Sequence, residues 1–445
     1  MKIKKLISAL VLGSMLVGLS GCNITDFSAE NLLRPPKAVG DEAEIEQLIA
    51  KTADSGYTLK YPKNGKFRSA IIMTDLDGND SNEAVAFFRN SAETSSVHML
   101  VMYSKDKSWK IASDNIFETT DIDSVDFADL TGNGKAEIIV NSTTYTPNVG
   151  KLSCYSYSEG KTNEVGSGQS CSSFVTGDFD NDGTSEIMSL VLYTTENEAL
   201  ASMLDYNEDS KSLYAKAMAN MDPNVVKYKN IAVTKLDNDI TGIVVDGTSA
   251  NEVTNTQVIF YSRDLAILRN PLFKEKAKNI TRRSSQVICS DIDKDGKLEI
   301  PVTLDLPKQS GDSKNIYADK IIWNSFDTPK EALVAKQAVI INYDYMFMMN
   351  YADKWSENKV TAITDLESET TSFYAWNGTK LDTELFEIKV FPVSKWESGK
   401  SNDFTLITKD DKYAYTFNNI NPDTQISLSD DEIKTGFSTL DQSGI

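Results

Sequence analysis

The sequence predicts a mainly β protein: a β-propeller followed by a small α+β domain. Three observations support this fold class. An acidic nine-residue pattern recurs along the chain, short β-branched runs flank its copies, and the copies are 49 to 57 residues apart once a degenerate copy is counted. A period of that length is typical of propeller blades, which each contain four short antiparallel strands. Five blades are favoured, and six or seven would require further degenerate copies.

The acidic pattern places oxygen-bearing side chains at positions 1, 3, 5 and 9 of a tight loop. Two copies, at 178–186 and 291–299, read Asp-x-Asp-x-Asp-Gly-x-x-Glu. Oxygen ligands at alternating positions around a glycine turn are what a hard cation such as Ca²⁺ requires. The candidate ligands are Asp178, Asp180, Asp182 and Glu186 in the one copy, and Asp291, Asp293, Asp295 and Glu299 in the other.

Two further copies depart from this pattern. The copy at 75–83 has Asp80 at position 6, where the others have glycine, and its candidate ligands are Asp75, Asp77, Asn79 and Glu83. Aspartate tolerates a left-handed backbone better than most residues, so we expect this loop to keep its shape. The copy at 129–137 has a weaker set, namely Asp129, Thr131, Asn133 and Glu137. The sequence therefore predicts three structural Ca²⁺ sites and a weaker fourth.

These loops do not fit the EF-hand pattern. An EF-hand loop ends with a bidentate glutamate at position 12. Position 12 of the four copies is Ala86, Val140, Ser189 or Val302, and none of these supplies a carboxylate. The segments that flank the loops are short β-branched runs, so each loop is expected to join two strands.

A degenerate copy fills the wide gap between the copies that begin at 178 and 291. Lys235 replaces its first aspartate, and because only Asp237 and Asp239 remain we expect it to bind no ion. The five copies predict five blades between residues 62 and 330. The four strands of the first blade are expected near 68–74, 83–89, 97–103 and 108–113. The run at 57–61 is expected to form a strand that closes the ring with the last blade.

The succession of strand, acidic loop and strand resembles the FG-GAP/VCBS-type repeat of integrin-like and bacterial surface β-propellers. The resemblance covers about 270 of the 445 residues. It implies that each loop holds a structural Ca²⁺ through the side chains at positions 1, 3, 5 and 9 and a backbone carbonyl at position 7.

The N-terminus predicts a signal peptide at residues 1–21. Lys2, Lys4 and Lys5 precede a short apolar stretch at 6–19, which is too short to span a membrane. The ending Leu19-Ser-Gly-Cys22 resembles the bacterial lipobox, which implies that Cys22 is lipidated with at least two acyl chains. An ordinary secretory signal with a chance cysteine is the alternative. Residues 22–40 would then tether the protein to the outer face of the cytoplasmic membrane, and the layout resembles surface lipoproteins of Firmicutes.

The acidity of the chain limits its partners. The formal net charge of −20 becomes −23 once the three lysines of the signal peptide are removed (−20 − 3). Nucleic-acid binding needs clusters of lysine and arginine, so we expect no nucleic acid. The expected partner is a surface protein or a glycan, contacted through the loops between blades.

Residues 41–334 are assigned to the propeller region, which begins with a short helix at 41–50, and residues 335–445 to the α+β domain. Ser429 is expected to cap a terminal helix. Strand-like runs in this domain lie at 359–364, 371–376, 384–391, 403–408 and 412–417. Three segments resemble PsbP-like small domains, namely 355–359, 373–378 and 385–391.

The sequence offers little catalytic machinery. Its single histidine, His98, excludes metal sites with several histidines, and a Ser-His-Asp or Cys-His arrangement would have to use it. No glycine-rich phosphate loop is present. We therefore expect a binding or scaffolding protein without catalysis. The alternative is a glycan-processing enzyme that uses paired carboxylates on a five-bladed propeller.

Two further sets of residues leave alternatives open. Cys154 and Cys171 either form a disulfide or are small buried hydrophobic residues. Tyr155 and Tyr157 either face the core or form a surface on which a sugar could stack.

Overall fold

The computed structural model describes residues 40–53, 56–146, 148–193, 195–274, 277–284, 287–312, 314–356, 358–397 and 403–440. The predicted signal peptide at 1–21, Cys22 and all but the last residue of the tether at 22–40 lie outside these ranges. Within them, no helix combines the length and the apolar character that crossing a membrane requires.

The described strands form six antiparallel sheets, which confirms the mainly β class. The first four sheets follow one another along the chain. The first contains β1 (Tyr57–Leu59), β2 (Ile71–Thr74), β3 (Glu83–Asn90), β4 (Val97–Lys105) and β5 (Ser108–Phe117). The second contains β6 (Ile122–Ala128), β7 (Glu137–Thr143), β8 (Gly150–Ser158) and β9 (Lys161–Cys171). The third contains β10 (Ser173–Gly177), β11 (Glu186–Tyr193), β12 (Glu198–Asn207) and β13 (Ser212–Asn220). The fourth contains β14 (Val225–Asp237), β15 (Ile240–Ser249), β16 (Thr254–Ser262) and β17 (Ile267–Arg269).

The last two sheets exchange strands along the sequence. The fifth contains β18 (Ile300–Asp305), β20 (Asp319–Asp327), β21 (Ala332–Asn342), β22 (Phe347–Asn350) and β28 (Phe437–Thr439). The sixth contains β19 (Ile316–Tyr317), β23 (Val360–Asp365), β24 (Thr370–Trp376), β25 (Leu381–Pro392), β26 (Thr405–Lys409) and β27 (Tyr413–Asn419). The boundary expected after residue 334 falls inside β21, so the fifth sheet draws strands from both sides of it.

Helices are few and short in the described residues. They are α1 (Asp41–Ala53), α2 (Val393–Glu397) and α3 (Asp430–Gly436), with a 3-10 turn at Asp353–Trp355. The expected cap of α3 is confirmed: Ser429 Oγ accepts a hydrogen bond from the Glu432 N–H, and Glu432 Oε2 accepts one from the Ser429 N–H. This reciprocal capping box satisfies two backbone donors at the start of the helix.

Consecutive sheets pack face to face through continuous apolar clusters. Val85 and Phe87 of β3 meet Ile138 and Val140 of β7, which joins the first two sheets. Equivalent clusters join the second sheet to the third, the third to the fourth, the fourth to the fifth and the fifth to the sixth. Because neighbouring strand residues point to opposite faces, each central strand buries both of its faces.

The far face of the first sheet is covered by helix α1 rather than by another sheet. Ile45 and Ile49 of α1 pack against Ala84, Ala86 and Phe88. The strand expected to close a ring, at 57–61, forms β1 but pairs with β3 inside the first sheet, with Thr58 opposite Arg89. That expectation was wrong because β2 is short and pairs only with the first half of β3, which leaves the second half for β1.

Both pairs of residues for which the sequence left two alternatives are buried in the core. Cys154 and Cys171 are free thiols, buried in the cluster between the second and third sheets. Burial raises the pKa of Cys171 to about 12, as expected of a thiol in apolar surroundings. Tyr155 and Tyr157 are buried between the first and second sheets, so they do not form an exposed stacking surface.

Candidate metal centres and ligand cleft

The four acidic loops share one backbone conformation. Each is named by the sheet that contains the strand following it: the first-sheet loop (75–83), the second-sheet loop (129–137), the third-sheet loop (178–186) and the fifth-sheet loop (291–299). In each, the carboxylate at position 1 accepts backbone N–H groups from positions 5 and 6, and the glutamate at position 9 accepts the N–H of position 2. The motif therefore specifies its own turn, whatever it binds.

Left-handed backbone occurs at two positions of each loop. Asp80 has a φ of 63°, so the expectation that aspartate replaces glycine at position 6 is confirmed. Position 4 is left-handed as well, and there the third-sheet and fifth-sheet loops have Asn181 and Lys294, with φ of 59° and 61°. Glycine takes position 4 in the other two loops, as Gly78 and Gly132.

The loops also connect neighbouring sheets. The Ala136 N–H of the second-sheet loop donates to the Leu76 carbonyl at 3.1 Å, and the Ser185 N–H of the third-sheet loop donates to the Asp129 carbonyl at 2.9 Å. In the fifth-sheet loop, the Leu298 N–H donates to Thr234 Oγ1 of the fourth sheet at 3.3 Å. An ordered loop therefore stabilises the junction of two sheets as well as its own turn.

The third-sheet loop has the donor set that best fits a cation. Carboxylate oxygens of Asp178, Asp180, Asp182 and Glu186 lie within 4.8 Å of one another. Glu186 is 0 % exposed, and its Oε1 has no hydrogen-bond partner among the described residues. Burial, with Asp180 and Asp182 close by, raises the pKa of Glu186 to about 8. A buried carboxylate oxygen without a partner is costly, and a cation among these oxygens would remove that cost.

The first-sheet loop resembles it with fewer carboxylates. Asp75, Asp77 and Glu83 bring ligand oxygens within 4.8 Å of one another. The amide oxygen of Asn79, the fourth expected ligand, accepts the Ser81 N–H at 2.7 Å. Asp77 Oδ1 is buried without a hydrogen-bond partner among the described residues. Burial raises the pKa of Glu83, and the nearby carboxylates of Asp77 and Asp75 raise it further. This donor set also fits a cation.

The second-sheet loop satisfies its glutamate internally. Glu137 Oε2 accepts the Leu130 N–H at 2.8 Å, and Glu137 Oε1 accepts the Thr131 hydroxyl at 3.2 Å. Thr131 stands where the other loops have aspartate, so a hydroxyl takes the oxygen that a metal would otherwise contact. The geometry agrees with the weaker ligand set seen in the sequence.

The fifth-sheet loop brings its expected ligands together around a lysine. Asp291, Asp293 and Asp295 place oxygens within 4.8 Å of one another. Lys336 Nζ, from β21, lies 2.7 Å from Asp293 Oδ2, 3.1 Å from Asp295 Oδ2 and 2.9 Å from Glu299 Oε1. Hydrogen bonds to Asp293 and Glu299 raise the pKa of Lys336 above its ordinary value. Nothing in the loop motif points to Lys336, which follows Glu299 by 37 residues (336 − 299).

A second lysine approaches the third-sheet loop from the corresponding place. Lys216 Nζ of β13 pairs with Asp180 and, at 2.8 Å, with Asp205 Oδ2 of β12. Both lysines are extra residues at β-bulges, since β13 shifts register against β12 at Lys216 and β21 shifts against β20 at Lys336. A bulge re-aims a side chain. The corresponding bulge residues in the first and second sheets are Ala112 and Val165.

The degenerate copy has lost its loop altogether. Strands β14 and β15 are joined by a tight turn at Asn238 and Asp239, and Lys235 pairs in register with Thr241. Lys235 Nζ donates to Thr241 Oγ1 at 2.9 Å. Gly242, which pairs with Thr234, takes the register position that the loop glutamates have in the other sheets, so the position-9 carboxylate is replaced by a glycine.

A separate cleft of about 650 Å³ lies where the edge strands β6, β10 and β14 converge. Hydroxyl and amide groups line it beside apolar side chains such as Phe174, Val175 and Ile231. Its lysines are Lys63, Lys227 and Lys229. The polar lining residues are Asn64, Asp123, Ser124, Asn141, Thr143, Thr144, Thr146, Asn148, Ser172, Ser173 and Asn230. The expected metal ligands are not among the residues that line this cleft.

Asp123 is the only carboxylate among the described residues that line the cleft. It accepts hydrogen bonds from Asn64 Nδ2 at 2.9 Å, Ser124 Oγ at 3.0 Å and Asn141 Nδ2 at 3.3 Å. Glycoside hydrolysis in its usual form needs two carboxylates that flank the scissile bond. The cleft does not place a second one near Asp123.

His98 lies in the first sheet, outside the cleft. Its Nδ1 is 2.9 Å from Asp114 Oδ1, its Nε2 is 3.0 Å from Glu93 Oε2, and its ring stacks on Phe88. Burial lowers the pKa of His98, but the hydrogen bonds to Asp114 and Glu93 raise it above the ordinary value. His98 is therefore held between two carboxylates and an aromatic ring, away from the residues that line the cleft.

No protein-family model matches the chain, and no curated protein matches it. Among solved structures, it is similar to a protein from Lactobacillus plantarum at 8% identity and a TM-score of 0.30, covering 72% of this chain and 86% of that chain. It is also similar to Sqt1 of Saccharomyces cerevisiae at 12% identity and a TM-score of 0.35, and that match covers 80% of this chain and 86% of Sqt1. The rhamnogalacturonan lyase YesW is similar at 11% identity and a TM-score of 0.30, and the match covers 73% of this chain and 77% of YesW. Likenesses at these TM-scores assign neither a fold nor a function.

Proposed function

We propose that this chain is a lipid-anchored surface protein that binds a glycan in the cleft between β6, β10 and β14, on a propeller of the FG-GAP/VCBS type that divalent cations stabilise. The observation that supports binding is the cleft itself. Its volume of about 650 Å³ lies in the range of small-ligand sites. Hydroxyl and amide groups beside apolar surface suit the mixed polar and apolar faces of a sugar.

The same cleft favours binding over catalysis. Its carboxylate, Asp123, is engaged by Asn64, Ser124 and Asn141, and the lining offers no second carboxylate for the usual glycosidase mechanism. The exposed edge of three consecutive sheets presents a rigid surface to a ligand. A surface protein is the other class of partner that the acidic sequence predicts.

Blocking the cleft tests this function. Val226 lines the cleft on β14 and is 37% exposed, whereas Val233 on the same strand is 41% exposed and does not line it. We expect Val226→Trp to abolish retention on immobilised cell-wall polysaccharide fragments and Val233→Trp to leave it unchanged. Equal retention of both variants, or no retention of the parent on any glycan fraction, would contradict the proposal.

The cations are proposed to be Ca²⁺ and to act on structure. Hard oxygen donors at four positions favour Ca²⁺, and the orphaned Glu186 Oε1 supports a cation in the third-sheet loop. When bound, Ca²⁺ would supply positive charge to the carboxylates and order a loop that also bonds to its neighbour. A ligand that binds only the native state raises stability by RT ln(1 + [L]/Kd). We expect EGTA to lower the melting temperature, whereas an unchanged melt in a protein that contains no calcium would refute the Ca²⁺ proposal.

The membrane anchor rests on the sequence before residue 23. Two acyl chains on Cys22 would hold the protein at the outer face of the cytoplasmic membrane. We expect the protein to incorporate labelled palmitate in a bacterial host and Cys22→Ser to abolish the label. Label retained in Cys22→Ser would show that Cys22 is not the acylated residue.

A further inference from the structure

The third-sheet and fifth-sheet loops match the acidic motif equally well, but their glutamates have different partners. Glu299 Oε1 of the fifth-sheet loop lies 2.9 Å from Lys336 Nζ. Glu186 Oε1 of the third-sheet loop is buried and has no hydrogen-bond partner among the described residues. Both glutamates are 0 % exposed, so solvent does not explain the difference.

A lysine stands at the same bulge in both sheets, so its presence does not explain the difference either. Lys216 follows the register shift between Met203 and Leu204, as Lys336 follows the shift between Trp323 and Asn324. The two ammonium groups nevertheless reach different oxygens. Lys216 contacts the position-3 carboxylate Asp180 but makes no described contact with Glu186.

The next residue of the neighbouring strand accounts for the two outcomes. Asp205 follows Leu204 on β12, and its Oδ2 lies 2.8 Å from Lys216 Nζ. The residue in the same register on β20 is Ser325, which pairs opposite Val334 as Asp205 pairs opposite Tyr214. Ser325 has no charge, and its hydroxyl donates to the Val334 carbonyl at 3.4 Å. Asp205 and Asp180 therefore share Lys216, which makes no described contact with Glu186, whereas Lys336 has no described carboxylate partner on β20 and contacts Glu299.

We propose that Lys336 is a covalently tethered cation that takes the place of the divalent ion in the fifth-sheet loop, and that Asp205 keeps Glu186 of the third-sheet loop available to that ion by holding Lys216 away from it. This inference rests on the proposed Ca²⁺ sites but concerns which loops are sites. One ammonium at 2.7, 2.9 and 3.1 Å from three carboxylates offsets part of the charge that would attract Ca²⁺ and occupies the oxygens that would bind it. The third-sheet and first-sheet loops remain as the Ca²⁺ sites.

Exchanging the two controlling residues tests the inference. Calcium bound per molecule would be measured by equilibrium dialysis and titration calorimetry on the chelator-treated, dialysed full chain. We expect Ser325→Asp to draw Lys336 away from Glu299, so that this variant binds one more Ca²⁺ than the parent. Lys336→Met removes the ammonium itself and should also bind one more Ca²⁺. We expect Asp205→Ser to weaken one parental site by at least tenfold, because Lys216 is then free to reach Glu186.

A matched control separates this effect from added negative charge. Ser156 has the register position of Ser325 in the second sheet, and its hydroxyl likewise donates to the carbonyl across the strand, that of Asn163 at 3.4 Å. Its sheet has Val165 rather than lysine at the bulge, so Ser156→Asp should gain no Ca²⁺. If neither Ser325→Asp nor Lys336→Met binds more Ca²⁺ than the parent, the inference is overturned. If the parent binds none while Lys336→Met binds one, the third-sheet site of the proposed function fails and the tethered lysine stands.

Discussion

The third-sheet and fifth-sheet loops differ in what lies among their carboxylates, although both read Asp-x-Asp-x-Asp-Gly-x-x-Glu. They share the hydrogen bonds from positions 5 and 6 to the first aspartate and from position 2 to the glutamate. In the fifth-sheet loop a lysine ammonium contacts three of the carboxylates. In the third-sheet loop the buried glutamate keeps an unpartnered oxygen.

The comparison shows that the conformation of the turn and the charge balance of the loop are determined by different residues. The nine residues determine the turn, because the hydrogen bonds from positions 2, 5 and 6 all lie within them. The charge balance is determined by residues on other strands, namely the bulge lysine and the residue beside it. Perfect agreement with a metal-binding pattern therefore does not by itself identify a metal site in this protein.

The largest expected effect comes from removing the first aspartate in the presence of calcium. Asp178→Ala should lower the free energy of unfolding by about 1 kcal/mol, because the backbone hydrogen bonds to Asp178 are lost. At a free Ca²⁺ concentration of 100 times Kd, the loss of Ca²⁺ binding should lower it by about 3 kcal/mol more. Asp291→Ala should lose only the first of these, about 1 kcal/mol. Urea unfolding in saturating calcium measures both, and in EGTA the two variants should become equally stable. A Ca²⁺-dependent loss in Asp291→Ala would break the comparison.

A smaller effect of opposite sign is expected from the glutamates in chelator. Because the pKa of Glu186 is raised to about 8, the folded metal-free protein must protonate this buried carboxyl group near neutral pH, which costs stability since the unfolded chain ionises it. Glu186→Gln removes that cost, so it should stabilise the metal-free protein by about 1–3 kcal/mol. Glu299→Gln replaces a charged partner of Lys336 with a neutral one, so it should destabilise by about 1–2 kcal/mol. Both are measured by urea unfolding in EGTA near neutral pH, where the raised pKa of Glu186 has its effect.

Calcium should reverse the effect of Glu186→Gln on stability and leave the effect of Glu299→Gln unchanged. Glu186→Gln loses a charged ligand, so in saturating calcium it should be less stable than the parent. Destabilisation of both variants in EGTA would mean that Glu186 has a partner in solution, and the third-sheet site would lose its main support.

Local patterns predicted much of the fold. The strands of the first sheet, the C-terminal strands and the Ser429 cap of α3 depend on neighbours in sequence, and they were expected near their observed places. The acidic loops were also found, including the left-handed Asp80, since their hydrogen bonds join residues at most seven positions apart.

The features that sequence reasoning missed depend on residues far apart in the chain. Lys336 meets Asp293 across 43 residues and Lys216 meets Asp180 across 36, and which lysine enters its loop depends on a third strand. The partner of β1 was also missed, because it depends on how much of β3 the short strand β2 leaves unpaired. The cleft is built from segments of four sheets, and the sequence of any one segment gives no sign of it.

The smallest expected effect tests whether the two loops share their backbone energetics. Position 4 is left-handed in both, and neither Asn181 nor Lys294 is a glycine. Lysine is poorly suited to this region, so Lys294→Gly should relieve strain and stabilise by about 0.5–1 kcal/mol after the entropy gained by the unfolded chain is subtracted. Asparagine tolerates the region well, so Asn181→Gly should change stability by less than about 0.5 kcal/mol. Because neither side chain is a proposed ligand, both effects should be the same in calcium and in EGTA. A dependence on calcium at either position would show that ion binding and loop backbone are coupled, and the separation of turn from charge balance would then fail.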